Sequence, residues 1–204
     1  MNLSGKTVIF LGSSVTYGSA SGGVSFVDLL AEKYGMVAVK EAVSGTTLAD
    51  IKDVSYISRM KKLDKSIKAD AFICQLSTND AARKLPLGEI SHSFCKDDFD
   101  TQTVAGAIEY IIAYEKEVYS CPIAFYTQAR YDSEAYRNMA QLLYNIKEKW
   151  NIHIIDLWNC DRVNNISDDD RKKFMYDPVH PTRDGYELLW LPVFEEELNK
   201  ITGN

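Results

Sequence analysis

The chain has 204 residues, of which 46% are hydrophobic and 25% charged, and a formal net charge of −6. That composition is of an ordinary globular protein, and the length suits one domain, 1–204, with ample material for a single core. The acidic balance, broken only by short basic pieces at Lys61-Lys62 and Arg171-Lys172-Lys173, argues against nucleic acid or an anionic membrane surface as a partner.

No apolar run approaches the ~20 residues of a membrane span. The N-terminal stretch MNLSGKTVIFLG is too short in apolar residues for a secretory signal and reads as a first strand, at residues 7–11. That strand runs into Gly12-Ser13-Ser14, a small-residue turn that would expose a hydroxyl and turn backbone N–H groups toward developing negative charge. An ordinary turn with an N-cap serine has the same composition. Val24, Val27, Leu30 and Ala31 then mark a helix face, and residues 37–43 a second strand ending in Ser44-Gly45-Thr46, where glycine leaves its N–H open to a ligand but, taken alone, reads first as a turn. Residues 71–76 form a third strand, followed by Ser77-Thr78-Asn79-Asp80. An Asn79 amide at a strand end can donate to an oxyanion, although an Asx turn or a helix cap is the commoner use of Asn-Asp, and Asp80 reads as a stabiliser of the local turn.

A polar excursion over 83–100, containing Pro86, Gly88 and His92, lies where a loop would shape a pocket, although solvated surface is the favoured reading. A helix marked by Val104, Ile108, Ile111 and Ile112 opens after Asp100-Thr101 as N-caps. The fourth strand, 123–127, leads to Gln128 and Arg130, again read as solvated surface. A helix marked by Ala140, Leu143 and Ile146 precedes the fifth strand, 152–157, in which His153 reads as a satisfied structural histidine. Near the C-terminus Asp177-Pro178-Val179-His180-Pro181 precedes a helix bearing Tyr186, Leu189, Val193 and Leu198 after Thr182. Among the three histidines, His180 alone has a carboxylate three residues away and prolines to stiffen the loop. Apolar strands alternating with helices predict a three-layer α/β/α sandwich on a mostly parallel five-stranded sheet, wound like flavodoxin. In such folds, sites lie beyond the carboxyl ends of the strands, which is where these motifs fall.

Taken in this order, the motifs resemble those of the SGNH (GDSL-type) hydrolase family. VIFLGSSVT at 8–16 resembles the first block, Ser44-Gly45-Thr46 the second, LSTND at 76–80 the third and DPVHP at 177–181 the last. The resemblance covers about residues 6–190 and implies Ser14, Asp177 and His180 as a catalytic triad. It implies an oxyanion hole of the Ser14 and Gly45 N–H groups and the Asn79 side chain, and a small-molecule ester as substrate. Two positions depart from the family pattern. Ser13 replaces an aspartate and leaves a rival hydroxyl beside Ser14, and Ser77 replaces a glycine and bears on the Asn79 loop. A non-catalytic binding module on the same fold is the competing reading; Gly12 and Gly18 make neither a dinucleotide fingerprint nor a phosphate loop.

No metal-ligand spacing and no cofactor motif is present. Cys74, Cys95, Cys121 and Cys160 stand apart with no CxxC pair, which predicts reduced thiols and a cytoplasmic location. The ester itself ranges over sugar acetates, lysophospholipids, thioesters and aryl esters, with short acyl groups on a carbohydrate preferred. Oligomeric state leaves no mark on the sequence.

Overall fold

Runs of β-branched and aromatic residues become five strands in the computed structural model, which describes residues 3–203. They are β1 (Thr7–Gly12), β2 (Val37–Ala42), β3 (Ala71–Gln75), β4 (Ile123–Tyr126) and β5 (His153–Ile155). All pair in parallel, in the order β2-β1-β3-β4-β5. The chain therefore steps from β1 outward to β2 and then crosses back to β3 on the other side of β1. That reversal is the switch point at which open parallel sheets place their ligands.

Side chains alternate across a strand, so the central strands feed two cores. Ile9, Leu11, Phe72, Cys74 and Phe125 face α3 (Tyr56–Met60), α5 (Val104–Val118) and α6 (Glu134–Trp150). Val8, Phe10, Ile73, Ala124 and Tyr126 face α2 (Phe26–Tyr34) and the C-terminal α10 (Leu191–Thr202), which continues a π-helical turn, Tyr186–Trp190. Phe26 stacks on Phe194 with ring centroids 3.8 Å apart, locking α2 to α10. Short helices complete the chain: α1 (Ser14–Tyr17) after β1, α4 (Thr78–Ala82) after β3, and α7 (Asp161–Asn164), α8 (Asp168–Phe174) and α9 (Arg183–Gly185) before the π-helical turn.

Three local expectations change. The N-cap of α5 is Thr103, whose hydroxyl accepts the Gly106 N–H at 3.2 Å, and not Asp100-Thr101. The preceding turn folds so tightly over the helix that a Cβ on Gly106 would lie 2.1 Å from the Asp100 carbonyl oxygen. The last strand has three residues, and His153 is exposed on it rather than satisfied in the core. The edge strand β2 is only half-buried along its length, as an edge must be where no partner covers it. Thr182 does cap the following turn, accepting the Gly185 N–H at 3.2 Å.

Candidate active site

The carboxyl end of β1 turns sharply into α1, and the turn needs glycine at position 12. A Cβ there would lie 1.7 Å from the Thr16 hydroxyl oxygen and 2.8 Å from Gln75 Oε1. The next residue, Ser13, is fully buried; its N–H donates to Gln75 Oε1 at 2.8 Å and its hydroxyl donates to the same oxygen at 3.3 Å. Thr16 donates to that oxygen as well, at 2.8 Å. An inward-facing Ser13 leaves Ser14 as the hydroxyl of this turn that meets the histidine. Ser14 Oγ lies 2.7 Å from His180 Nε2.

His180 is held by its own loop. Its Nδ1 lies 2.7 Å from Asp177 Oδ2, while Asp177 Oδ1 accepts the N–H groups of Val179 and His180, both at 2.8 Å. The three-residue spacing thus lets one carboxylate bind both ring and backbone. Burial pushes the Asp177 carboxyl up, but the Val179 N–H, the His180 ring and the His180 N–H together hold it below its ordinary value. The loop is closed by an antiparallel bridge between Met175 and Pro181, and by Gln128 Nε2, which donates to the Val179 carbonyl at 2.5 Å.

On the other side of Ser14, α4 presents Asn79. Its Nδ2 donates one hydrogen to the Thr46 carbonyl at 2.9 Å, which fixes the amide and leaves its second hydrogen uncommitted. Ser77, where a glycine was expected from the family pattern, caps α4 by accepting the Asn79 N–H at 3.2 Å. Gly45 takes φ +77°, a conformation natural to glycine, and its carbonyl accepts Arg83 Nη2 at 2.7 Å. Asp80 is not a local turn residue. Buried, it accepts the N–H groups of Leu48 and Ala49 at 2.9 Å and so clamps α4 to the loop after β2. Burial raises its carboxyl above the ordinary value, against the pull of those N–H groups and of Ser77.

Ser14, Asn79, Asp177 and His180 line one cavity of about 500 Å³, together with Thr78, Tyr131, Asp132 and Ser133. Gly45 does not line it. A second cleft, of about 550 Å³, shares Tyr131, Asp132, Asp177 and Pro178 and extends past Arg130 and Met175. The excursion at 83–100 does not line the serine cavity; part of it is drawn away, where Lys149 donates to the Ser91 and Ser93 carbonyls. Arg130 is exposed, as expected of surface, but Gln128 is buried. Gln75 is a site-building residue to which the sequence reading gave no role, and Gln128 and Asp80 are two that it read as solvated surface and as a local turn. A lone amide within or just beyond an apolar strand was the available signal, because a buried amide needs partners. Among the described residues no group of three or more His, Cys, Asp or Glu side chains is placed to hold a metal ion, and no helix is long and apolar enough to cross a membrane. All four cysteines are unpaired.

Comparison with known proteins places this geometry in context. The model of the GDSL-like Lipase/Acylhydrolase family matches residues 10–188. Among solved structures, a Lactobacillus plantarum protein superposes with a TM-score of 0.81 at 18% identity, over 97% of this chain and 98% of its own. A member of the lipolytic protein G-D-S-L family from Veillonella parvula gives 0.61 at 15%, over 94% and 97%. A family two carbohydrate esterase from Clostridium thermocellum, solved with cellohexaose, gives 0.66 at 14%, over 97% of this chain and 65% of its own. At these identities the likeness is one of fold. No curated protein matches the chain.

Proposed function

The chain belongs to the GDSL-like lipase/acylhydrolase family, and from that premise we propose that it is a serine ester hydrolase working through Ser14, His180 and Asp177. The observation that carries this reading is the continuous relay from Asp177 Oδ2 through the imidazole to Ser14 Oγ, 2.7 Å at each step. With Asp177 accepting the Nδ1 hydrogen, the lone pair of neutral His180 lies at Nε2, where it takes the Ser14 proton as Oγ attacks the ester carbonyl. The tetrahedral oxyanion is held by the N–H groups of Ser14 and Gly45 and by the second amide hydrogen of Asn79. The imidazolium returns its proton to the departing alcohol and leaves acyl-Ser14. Water, deprotonated by His180, then releases the acid and restores the serine. No metal or organic cofactor enters these steps.

The substrate we assign is a short acyl ester, such as an acetylated carbohydrate. Thr78, Asn79, Asp132 and Ser133 support this, since they place polar groups in a lining that Ala82, Tyr131, Pro178 and Val179 otherwise make apolar, and a long hydrocarbon chain would desolvate those groups without pairing them. The likeness in fold to a carbohydrate esterase is in keeping with it. We further assign one catalytic domain over 1–204, acting in the cytoplasm, a compartment in which four unpaired cysteines persist.

The test is hydrolysis of p-nitrophenyl esters from acetyl to long-chain by wild type and Ser14→Ala, with fluorophosphonate labelling of both. Turnover on short chains and labelling, both lost in Ser14→Ala, are the expected result. Turnover retained in that variant would overturn the serine mechanism. A wild type that neither turns over nor labels would leave a binding module.

A further inference from the structure

Arg59 lies on α3 and outside every motif read from the sequence, yet it is buried to 6% exposure while carrying a permanent charge. All five of its donor hydrogens find acceptors. Nε donates to the Val54 carbonyl at 3.1 Å, and Nη1 to the Glu41 carbonyl at 3.0 Å and to Glu41 Oε1 at 2.9 Å. Nη2 donates to the Gly12 carbonyl at 2.7 Å and to Thr46 Oγ1 at 3.0 Å. The Glu41 carboxylate offsets the buried charge.

The acceptors of Nη2 are the two turns from which the backbone oxyanion donors come. The Gly12 carbonyl belongs to the peptide unit whose N–H, on Ser13, is held from the opposite side by Gln75 Oε1 at 2.8 Å. That unit is clamped at both ends, one residue ahead of Ser14. Thr46 adjoins Gly45, and its carbonyl is the acceptor that fixes the Asn79 amide. We infer that Arg59 is a positioning residue for the oxyanion site. Beside the Val43 N–H, which donates to the same Gly12 carbonyl at 3.3 Å, its Nη2 sets the separation between the Ser14 turn and the Gly45-Thr46 turn, and through Thr46 the placement of Asn79. This rests on the hydrolase reading above. A planar guanidinium holds two acceptors at a fixed angle, which neither water nor an ammonium can do.

A displacement on the order of 1 Å in such a constellation costs about 10²-fold in rate. Because the donors act on charge that develops in the transition state, the loss falls on kcat and not on KM.

The experiment measures kcat and KM for p-nitrophenyl acetate, the fraction labelled by fluorophosphonate, and Tm in Arg59→Met, Arg59→Lys, Thr46→Val and Thr46→Ser. Lys149→Met serves as a control, since it breaks the buried Lys149–Glu109 ion pair away from the serine cavity. Arg59→Met is expected to lower kcat per labelled site by about 10–100-fold with KM within about threefold. Arg59→Lys gives no rescue, and Lys149→Met lowers Tm with wild-type kcat. Wild-type kcat per labelled site in Arg59→Met overturns the inference. Should that variant not fold, Thr46→Val decides. A several-fold fall in kcat that Thr46→Ser restores supports the role, and an unchanged kcat overturns it. A wild type that neither labels nor hydrolyses esters sinks the hydrolase reading, and the positioning role with it, before any variant is compared.

Discussion

Asn79 shows how much a single amide can be asked to do. One of its hydrogens is spent on the Thr46 carbonyl at 2.9 Å, which orients the group so that the other can serve an oxyanion without reorganising. Asn79→Ala is therefore expected to lower kcat for p-nitrophenyl acetate on the order of 10²–10³-fold, with little change in KM. An unchanged kcat would reduce Asn79 to a turn residue. Ser13 and Ser14 make the complementary point. Two adjacent hydroxyls with the same intrinsic chemistry are separated by environment alone, one donating inward to Gln75 and the other 2.7 Å from His180 Nε2.

Elements act here as carriers of loops more than as packing units. The helix α4 is only five residues long and would be marginal alone. It is held by the Ser77 cap and by the Asp80 carboxylate, which takes the Leu48 and Ala49 N–H groups. Asp80→Ala leaves both buried donors without an acceptor, and each such group costs about 1–3 kcal/mol. Urea unfolding should accordingly show a loss of about 2 kcal/mol or more. Activity should fall with it, because the loop that carries Gly45 is then held to the α4 segment only through the Thr46 and Gly45 carbonyls, which accept from Asn79 and Arg83. A variant with wild-type stability and kcat would show that the clamp is redundant. The Asp177–His180 loop uses the same device, with carboxylate-to-backbone bonds standing in for regular structure.

For the whole molecule, stability rests on two cores flanking one sheet, and its pH dependence follows from carboxyls buried in or beside them. Glu115, on α5, is raised above its ordinary value of 4.5 by burial, which outweighs the bonds it accepts from the Cys121 N–H and thiol. A carboxyl raised in the folded state binds its proton more tightly there. Its ionisation therefore costs stability as the pH rises through the interval from 4.5 to the folded value, and that cost is absent below the interval. Glu115→Gln cannot titrate. The difference in Tm, wild type minus Glu115→Gln, should grow as the pH is lowered from neutrality to about 4.5. A difference independent of pH would show that the Glu115 carboxyl binds its proton equally tightly in the folded and unfolded protein, and so that burial does not raise it.

Read alone, the sequence determined the layered parallel sheet, because short continuous apolar runs and period-3.6 apolar patterns are local and alternate along the chain. It also placed Ser14, Gly45, Asn79, Asp177 and His180 in loops after strands, or in a proline-stiffened loop near the C-terminus, as candidate chemistry. Element ends were less legible. The start of α5 is set by the Thr103 cap and the Asp100 turn packed over Gly106, and Asp100, Thr101 and Thr103 are all of cap-forming type, so composition did not choose among them. What only the tertiary structure decided is partnership across long sequence separations. Arg59 reaches Gly12, Gln75 reaches Ser13, Asp80 reaches Leu48, and Gln128 reaches Val179. Each pairs a buried polar group with backbone more than thirty residues away. The choice is forced by the cost of leaving either group unpaired once the sheet has brought the loops together, and not by the residues that flank either one.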